Sequence, residues 1–569
     1  MVTRSAKKSL AVLFVALLVS LSFAQVRDYN PVTDERLNNP EPENWLLYRR
    51  THDASGYSPL DSINRENVAN LTPVWTFATG VVSGHQSPPL VNDGVMFVTT
   101  PEAQVIALDA ASGDLLWRYK RELPPGTTML HHTNRGVGLY ENLVFLGTHD
   151  AYVTALDARN GEVVWEQKLA ETTEGYYITM MPLVAEGKVM VGISGGERGV
   201  RGFIEAFDAL TGERAWKTYT VPGPGEPGNE TWPGDTWQHG GAAVWVTGSY
   251  DPDTGISYWG TGNGGPWLGA ATRPGDNLYV TSAVAVDVGT GEIVSHFQYQ
   301  PNDTWDWDEV STPMLIDVER DGRVIPAAVH AARSGYLYLL DRSNGGLDFV
   351  EAVPYVYQDV FLGFEEDGRP IYDPEKIPWI GEATDFCPSL WGGKDWPPAA
   401  YNPDTKLLYI PANDNHCGSI EGTEVEYVAG QSYTGASTNF WIVDEEAPIG
   451  ELQAWNLETM EEVWSVPFES HNWGPVLTTG GDLVFMGGTN DRYFRAFDAE
   501  TGDILWEFRT NSGVTSIPTT FEVDGTQYIA VQSGYGVDAA SMHSRIARQL
   551  GWDPDVPQGG VVWVFAVNE

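Results

Sequence analysis

The chain has 569 residues and a formal net charge of −44, with 33 basic and 77 acidic side chains. A chain this acidic repels the phosphates of nucleic acids and the headgroups of anionic lipids, so neither is an expected partner. The charge suits a basic protein partner, although solubility alone also explains it.

The first residues have the pattern of an export signal. A basic start precedes the apolar run 10–21, and small residues lead to a cleavage point between Ala24 and Gln25. The alternative is a membrane anchor, but an apolar run of about a dozen residues is too short to span a bilayer. We therefore expect residues 1–24 to be removed, and residues 25–569 to form one soluble, periplasmic domain without a membrane span.

Most of the remaining chain repeats one phrase, Ala-x-Asp-x-x-x-Gly-x-x-x-Trp. It occurs at 107–117, 155–165, 206–216 and 496–506, with weaker copies at 285–295, 339–345 and 454–464. Each copy predicts a strand, a turn in which Gly supplies a positive φ, and a second strand ending near Trp. A period of about 50 residues is typical of one four-stranded propeller blade.

The repeat predicts an all-β fold, an eight-bladed β-propeller. The seven copies are completed by residues 74–77 and 561–565, which we expect to share a closing blade. Helical periodicity is weak throughout. Most of the 22 tryptophans are therefore expected to pack between blades rather than to take part in chemistry.

The phrase Asp-x-x-x-Gly-x-x-x-Trp resembles the tryptophan-docking motif of the alcohol dehydrogenases that depend on pyrroloquinoline quinone (PQQ). The resemblance runs from about Trp45 to the C-terminus. A non-catalytic scaffold propeller of outer-membrane assembly has similar repeats, so the site residues must separate an enzyme from a docking scaffold.

The resemblance implies a set of PQQ-binding residues. Arg135, in Asn-Arg-Gly, would pair with a cofactor carboxylate, Trp245 would form the floor beneath the ring, and Arg333 would contact the quinone oxygens during catalysis. The other implied cofactor residues are Gln86, Thr179, Ser194, Gly195, Gly196, Asp395, Trp396 and Trp473.

Two acids, Asp306 and Asp308, alternate with Trp305 and Trp307. In an extended segment the two carboxylates would share a face. Such a pair repels, and one member would protonate unless a cation neutralises both. A solvated surface turn is the alternative, but two flanking tryptophans make an exposed turn unfavourable.

The resemblance implies that Glu197, Asn263, Asp306 and Asp308 bind a metal through oxygen, and that Asp306 is also the catalytic base. Oxygen donors suit a hard cation, and the sequence has no Cys/His cluster of the zinc type. An acid two residues after the base resembles the lanthanide-dependent branch of the family. An extra anionic ligand favours the ion of higher charge, so we expect a lanthanide, with Ca²⁺ as the alternative.

One position departs from the methanol-oxidising members, which have adjacent cysteines before the Asn-Arg-Gly segment. Here Met129 and Leu130 stand there, which indicates an apolar, flexible lid with room for bulky alcohols. The two cysteines of the chain, Cys387 and Cys417, are expected to form a structural disulfide.

These observations predict a PQQ- and metal-dependent periplasmic dehydrogenase of primary or secondary alcohols. Because the chain has no CxxCH motif and therefore no c-type haem of its own, its electrons would pass to a separate soluble cytochrome c or similar acceptor. A homodimer is compatible with the family. The alternatives are a calcium-dependent PQQ dehydrogenase of sugars or polymeric alcohols, and the non-catalytic scaffold.

Overall fold

The computed structural model describes residue 26 and residues 28–82, 84–320 and 322–567. In these ranges the chain consists mainly of strands, with three α-helices and seven short 3₁₀ helices. The predicted signal peptide, residues 1–24, lies outside the described residues. Within the described ranges, no helix combines the length and the apolar character needed to cross a membrane.

Two strands, β1 (Tyr57–Ser58) and β2 (Leu71–Ala78), precede three successive four-stranded antiparallel sheets. The first sheet contains β3 (Leu90–Asn92), β4 (Val95–Thr100), β5 (Gln104–Asp109) and β6 (Leu115–Lys120). The second contains β7 (Val137–Tyr140), β8 (Leu143–Gly147), β9 (Tyr152–Asp157) and β10 (Val163–Lys168). The third contains β11 (Leu183–Ala185), β12 (Lys188–Gly192), β13 (Phe203–Asp208) and β14 (Arg214–Tyr219).

Two more such sheets follow in chain order, and then a region with extra strands. The fourth sheet contains β15 (Ser249–Asp251), β16 (Ile256–Gly260), β17 (Ser282–Asp287) and β18 (Ile293–Gln298). The fifth contains β19 (Met314–Arg320), β20 (Arg323–Ala331), β21 (Tyr336–Asp341) and β22 (Asp348–Pro354). The extra strands are the hairpin β23 (Phe361–Phe364) and β24 (Pro370–Tyr372), and β25 (Ala383–Phe386).

The last three sheets complete the described strands. The sixth contains β26 (Ala400–Asn402), β27 (Leu407–Asn413), β30 (Gly450–Asn456) and β31 (Glu461–Phe468), while β28 (His416–Gly422) and β29 (Ala436–Ile442) join β25. The seventh contains β32 (Leu477–Thr479), β33 (Leu483–Met486), β34 (Tyr493–Asp498) and β35 (Ile504–Arg509), with β1 parallel to β32. The eighth contains β36 (Thr519–Val523), β37 (Thr526–Ser533), β38 (Val561–Val567) and β2.

The helices are few, and several of them, including α3, stand between two strands of the same sheet. The α-helices are α1 (Asp34–Asn38), α2 (Gly269–Thr272) and α3 (Val537–Leu550). The 3₁₀ helices are Val68–Asn70, Thr172–Glu174, Gly196–Arg198, Asn229–Thr231, Thr236–His239, Ser343–Gly345 and Pro374–Lys376.

The eighth sheet joins the two ends of the described chain. Strand β2 pairs antiparallel with β38, with Leu71 opposite Val567 and Ala78 opposite Val561. This pairing agrees with the expectation that residues 74–77 and 561–565 share one blade. Each of the other four-stranded sheets is built from strands that follow one another in the chain, apart from the excursion through β28 and β29.

The repeated phrase owes its Asp and Gly to the turn between the last two strands of a sheet. The Asp109 carboxylate accepts the backbone N–H groups of Ala111 and Ser112, at 3.1 and 2.9 Å. Gly113 closes the turn by donating to the Asp109 carbonyl at 2.8 Å, with a φ of 77° that suits glycine.

The Trp of the phrase contacts the next sheet. The Trp117 indole N–H donates to the carbonyl of Ala158 at 2.8 Å, and a β-carbon at Gly161 would lie 2.6 Å from its ring. The indoles of Trp165 and Trp216 repeat the bond to Ala209 and Val288, at 3.1 and 2.9 Å. These three indole groups therefore link neighbouring sheets.

A disulfide stabilises the excursion between the fifth and sixth sheets. Cys387 and Cys417 are bonded, with 4.4 Å between their Cα atoms and 30 residues of sequence separation. Cys417 lies in β28, and Cys387 directly follows β25, the strand that pairs with β28. The predicted disulfide is therefore confirmed, and it fixes the chain close to residues 389–396, which return to the centre of the molecule.

Candidate active site

A cavity of about 400 Å³ gathers side chains that are far apart in the sequence. Most of the predicted site residues line it: Arg135, Thr179, Ser194, Gly195, Gly196, Glu197, Trp245, Asn263, Asp306, Asp308, Arg333 and Asp395. They come from loops and strand ends of several sheets, so only the complete fold brings them together.

The two acids predicted to share a face lie in an irregular loop, not in an extended strand. Asp306 has a φ of 61°, in the left-handed region that non-glycine residues rarely adopt. Trp305 and Trp307 are fully buried and stack with 5.3 Å between ring centroids, while both carboxylates line the cavity. The two carboxylates therefore face the same cavity, as expected. The extended conformation that the expectation assumed was wrong.

A third acid, Asp303, accepts hydrogen bonds from the backbone of this loop. Its carboxylate accepts the backbone N–H groups of Trp305 and Trp307, at 3.2 and 3.4 Å, and it is fully buried outside the cavity wall. Burial raises the pKa of Asp303 to about 6. We infer that Asp303 positions the tryptophans and thereby the two acids between and after them.

The positive charge around the acids of the cavity is too small to keep their pKa values in the usual range. Burial raises the pKa of Asp306 well above its usual range, and the neighbouring charge of Asp308 raises it further. Burial raises the pKa of Asp308 to about 7, and it also raises that of Glu197. Arg333 opposes the shift at both aspartates without cancelling it. Three buried carboxyl groups with elevated pKa values are the environment in which a bound cation would be favoured.

The neighbours of Asp308 hold its carboxylate in place. One oxygen accepts the backbone N–H of Asn263, and the other accepts the Trp245 indole N–H at 3.1 Å. The Asn263 amide nitrogen donates to the carbonyl of Gly264 at 3.2 Å. This bond leaves the Asn263 Oδ1 atom beside Gly196, where a β-carbon would lie only 2.5 Å away.

Arg135 is a buried cation without an acidic partner among the described residues. Its Nη1 donates to the Thr179 hydroxyl at 2.8 Å, and that hydroxyl lies 3.0 Å from the Ser194 hydroxyl. The guanidinium carbon lies 4.7 Å from the Trp245 ring centroid and 4.8 Å from that of Trp396. Its Nε is buried and has no hydrogen-bond partner in the described chain. Such a group suits a ligand that carries a carboxylate.

Arg333 connects the acid loop to Asp395. Its Nη1 donates to the backbone carbonyl of Asp306 at 2.9 Å, and its Nη2 forms a buried ion pair with Asp395. Its backbone N–H donates to the Glu309 carboxylate at 3.1 Å. Arg333 thus holds the peptide of Asp306 while its side chain stays at the cavity wall.

Three predicted cofactor residues do not line the cavity. Gln86 is buried, and its Oε1 has no partner among the described residues. Trp396 packs against Arg135, and Trp473 meets Trp391 edge to face with 5.8 Å between centroids. Trp396 and Trp473 therefore lie behind the wall and contact Arg135 and Trp391, which form part of it.

Several lining residues were missed by the sequence analysis. Asp538, Ser541 and Arg545 project from α3, the one long helix among the described residues. The expectation of weak helical periodicity overlooked this helix, whose buried residues Ala539, Met542, His543, Ile546 and Ala547 follow helical spacing. Leu130, His131, Tyr177, Trp267, Leu390, Trp391, Thr438 and Val537 complete the wall.

Comparison with known proteins identifies the family. The family model "PQQ: Glucose/ethanol/alcohol dehydrogenase, beta-propeller domain" matches residues 45–350 and 365–529. Quinoprotein alcohol dehydrogenase PedH of Pseudomonas putida is 38% identical over 535 residues, which cover 90% of this chain and 88% of that protein. The chain belongs to the PQQ-dependent alcohol dehydrogenase family.

Two further similarities extend along nearly all of this PQQ-dependent alcohol dehydrogenase. The lanthanide-dependent methanol dehydrogenase of Methylacidiphilum fumariolicum is 36% identical, covering 98% of this chain and 94% of that protein. The solved europium-containing methanol dehydrogenase superposes with a TM-score of 0.88 at 34% identity, covering 94% and 99% of the two chains. The fold is therefore an all-β, propeller-type PQQ domain, and the non-catalytic scaffold is set aside.

The cavity residues of the dehydrogenase fit PQQ, a flat quinone with three carboxyl groups. Trp245 offers a flat face, Arg135 an unpaired cation, and Thr179 and Ser194 two hydroxyls. Among the described residues, no three His, Cys, Asp or Glu side chains are placed to hold a metal ion by themselves. The fit of a cation therefore requires the Asn263 amide oxygen and oxygens of the cofactor in addition to the acids.

Gly196 tests the amide donor. Replacing Gly196 by alanine should push the Asn263 oxygen away from the cavity, because the new β-carbon would lie 2.5 Å from it. We expect metal affinity to fall by about 10- to 100-fold, as for other residues that support a metal ligand. Titration of the metal against a competing chelator measures this. Gly289→Ala, in an exposed turn, is the control, and equal affinities in the two variants would contradict the role given to Asn263.

Proposed function

We propose that this chain oxidises a primary or secondary alcohol, using bound PQQ and a metal ion, with Asp306 as the base. The observation that carries the proposal is the buried Asp306 carboxyl in a cavity that also holds Asp308, Arg135 and Arg333. The absence of the vicinal cysteines, with Leu130 at the wall, supports a bulky alcohol as substrate.

The side chains of the chain divide the chemistry between them. Asp306 accepts the hydroxyl proton of the alcohol, as a base must when it lies within hydrogen-bonding reach. Arg333 keeps the Asp306 peptide in place through the bond to its carbonyl. Bound PQQ would supply the hydride acceptor for the alcohol, and a metal ion held by Glu197, Asn263, Asp306 and Asp308 would supply a Lewis acid. Trp245, Trp391 and Leu390 supply apolar surface to the cavity wall.

The proposed metal ligands are Glu197, Asn263, Asp306 and Asp308. We favour a lanthanide over Ca²⁺, because three of the four proposed ligands are carboxyl groups and an added negative ligand favours the more highly charged ion. The names of two similar proteins, one lanthanide-dependent and one europium-containing, support this choice.

The proposed metal preference is tested by reconstitution. Metal-free protein supplied with PQQ and either La³⁺ or Ca²⁺ should reduce an artificial dye with an alcohol present, and La³⁺ should give the higher rate. Asp308→Ala should lower the La³⁺-supported rate about tenfold more than the Ca²⁺-supported rate, since one negative ligand is lost. Asp308→Asn removes the negative charge but keeps the size of the side chain, so comparing it with Asp308→Ala separates the effect of charge from that of shape. Activity with Ca²⁺ alone would refute the lanthanide and favour the calcium-dependent sugar or polymer-alcohol dehydrogenase.

We also propose how the sheets are arranged, where the protein is exported and which kind of protein accepts its electrons. The eight four-stranded sheets would close into an eight-bladed propeller by tryptophan docking, as the indole contacts and the β2–β38 pairing suggest. Residues 1–24 would direct export to the periplasm, leaving residues 25–569 as one domain. Electrons would pass to a separate soluble cytochrome c or similar carrier.

A further inference from the structure

Helix α3 presents a polar stripe to the cavity. Asp538, Ser541 and Arg545 are spaced i, i+3 and i+7, so they lie on one face, and all three line the cavity. The opposite, apolar face of the helix is buried in the core. The polar stripe is therefore part of the wall of the site, with Asp538 and Arg545 partly buried and Ser541 exposed.

Helix α3 contributes two charged residues to this wall. Among the described residues, Asp538 has an ionisable side chain within ion-pair distance and Arg545 has none. The Asp538 carboxylate lies 3.5 Å from the His131 Nε2, which also lines the cavity. Arg545, two helical turns further on, has no hydrogen bond or ion pair within the described chain. Its guanidinium carbon lies 5.9 Å from the ring centroid of Trp391, a cation–π contact.

The direction of the pKa shift of Arg545 agrees with the lack of an acidic partner. Partial burial and the charge of Arg548 both lower the pKa of Arg545. A carboxylate beside the guanidinium would have the opposite effect, and it would also accept charge-assisted hydrogen bonds from the free N–H groups. The guanidinium is planar and forked, which matches the geometry of a carboxylate.

The space between Arg545 and the acids has apolar walls. Leu130, Trp267, Leu390, Trp391 and Val537 line the same cavity. Such walls suit a chain of methylene groups, whose burial is favourable by roughly 0.8 kcal/mol per group. A ligand with a hydroxyl at one end, an apolar chain and an anion at the other end would therefore find a matching group for each part in this cavity.

We propose that Arg545 binds the carboxylate of the substrate, so that the alcohols oxidised here include hydroxy acids with a distant hydroxyl group. This rests on the proposed function, because the oxidation is the same reaction. The carbinol carbon loses a hydride to the quinone, the hydroxyl proton goes to Asp306, and the carboxylate leaves unchanged on the aldehyde or ketone product.

The experiment compares matched substrates on the PQQ- and metal-loaded enzyme. Hydroxy acids with a terminal hydroxyl and four, six or eight carbons are each paired with the straight-chain alcohol of the same length. Arg545→Gln should lower kcat/KM for at least one hydroxy acid by about 10- to 100-fold, the effect of losing a charge-assisted bond. The paired alcohol should change less than twofold. Arg548→Gln, an exposed arginine on the same helix, should change neither.

Binding gives a readout that does not need turnover. Hexanoate, which has no hydroxyl to oxidise, should bind to the loaded enzyme by calorimetry about tenfold or more weakly after Arg545→Gln. Equal binding, or equal loss on acids and alcohols, would overturn the proposal. Loss of quinone absorbance in the variant would also overturn it, because Arg545 would then hold the cofactor. If no alcohol is oxidised at all, the proposed function fails, and the hexanoate result still decides whether Arg545 is a carboxylate site.

Discussion

Asp306→Asn should lower kcat by about 10³-fold while PQQ and metal remain bound. Removing a general base typically costs two to four orders of magnitude, and the amide keeps the size and one oxygen of the carboxylate. The quinone absorbance and the metal content of the purified variant report on binding, and dye reduction reports on turnover. A variant that retains normal kcat would show that another group accepts the alcohol proton.

The matched control is Asp303→Asn. Asp303 lies three residues earlier, is fully buried, and hydrogen-bonds to the loop backbone without lining the cavity. The amide retains the oxygen that accepts the two N–H groups, so we expect kcat to stay within about tenfold of the wild type. If both variants lose activity equally, the effect of Asp306→Asn reflects damage to the loop and not loss of a base.

Removing the metal should destabilise the protein, and the loss should increase between about pH 4 and pH 8. In the metal-free protein, burial raises the pKa of Asp308 from 3.8 to about 7. A carboxyl group whose pKa is raised by folding binds its proton more tightly in the folded state. Its stabilising effect is therefore complete below the unfolded value of 3.8 and is lost as the pH rises through about 7.

The expected difference is on the order of a few kcal/mol at pH 8, because one pKa unit corresponds to about 1.4 kcal/mol. Melting curves of metal-free and metal-saturated protein across the pH range measure it, since a bound cation offsets the charge of the carboxylates. In the double variant Asp306→Asn, Asp308→Asn the metal-free curve should depend less on pH. A constant gap between the two forms at every pH would mean that these acids do not bind the metal.

The repeat was predictable because its causes are local. Asp109 caps the turn, Gly113 adopts the positive φ, and Trp117 contacts the neighbouring sheet, all within a short stretch of chain. Each copy carries the same residues, so the periodicity is visible in the sequence. The all-β propeller fold was therefore predicted correctly.

The site was predictable in composition but not in geometry. The acidic pair Asp306 and Asp308 is conspicuous between tryptophans, whereas Glu197 and Asn263 were found only through resemblance to a family, because one acid or amide in a loop carries no local signal. The left-handed conformation at Asp306 depends on the packing around the loop, which the sequence does not display.

Helix α3 had a signal that was overlooked. The buried residues Ala539, Met542, His543 and Ile546 have helical spacing, but one of them is small, one is polar, and they stand in a chain of strands. The helix lines the cavity, so missing it also meant missing Asp538, Ser541 and Arg545, three residues of the cavity wall.

The pairing of β2 with β38 has a consequence for how the protein folds. The two strands are separated by almost the whole chain, with Leu71 opposite Val567. Closing a loop of that length is entropically unfavourable, and contacts between distant residues slow folding. The pairing of β2 with β38 should therefore form late, after the local hairpins, and until then the exposed edges of β2 and β38 are open to intermolecular association.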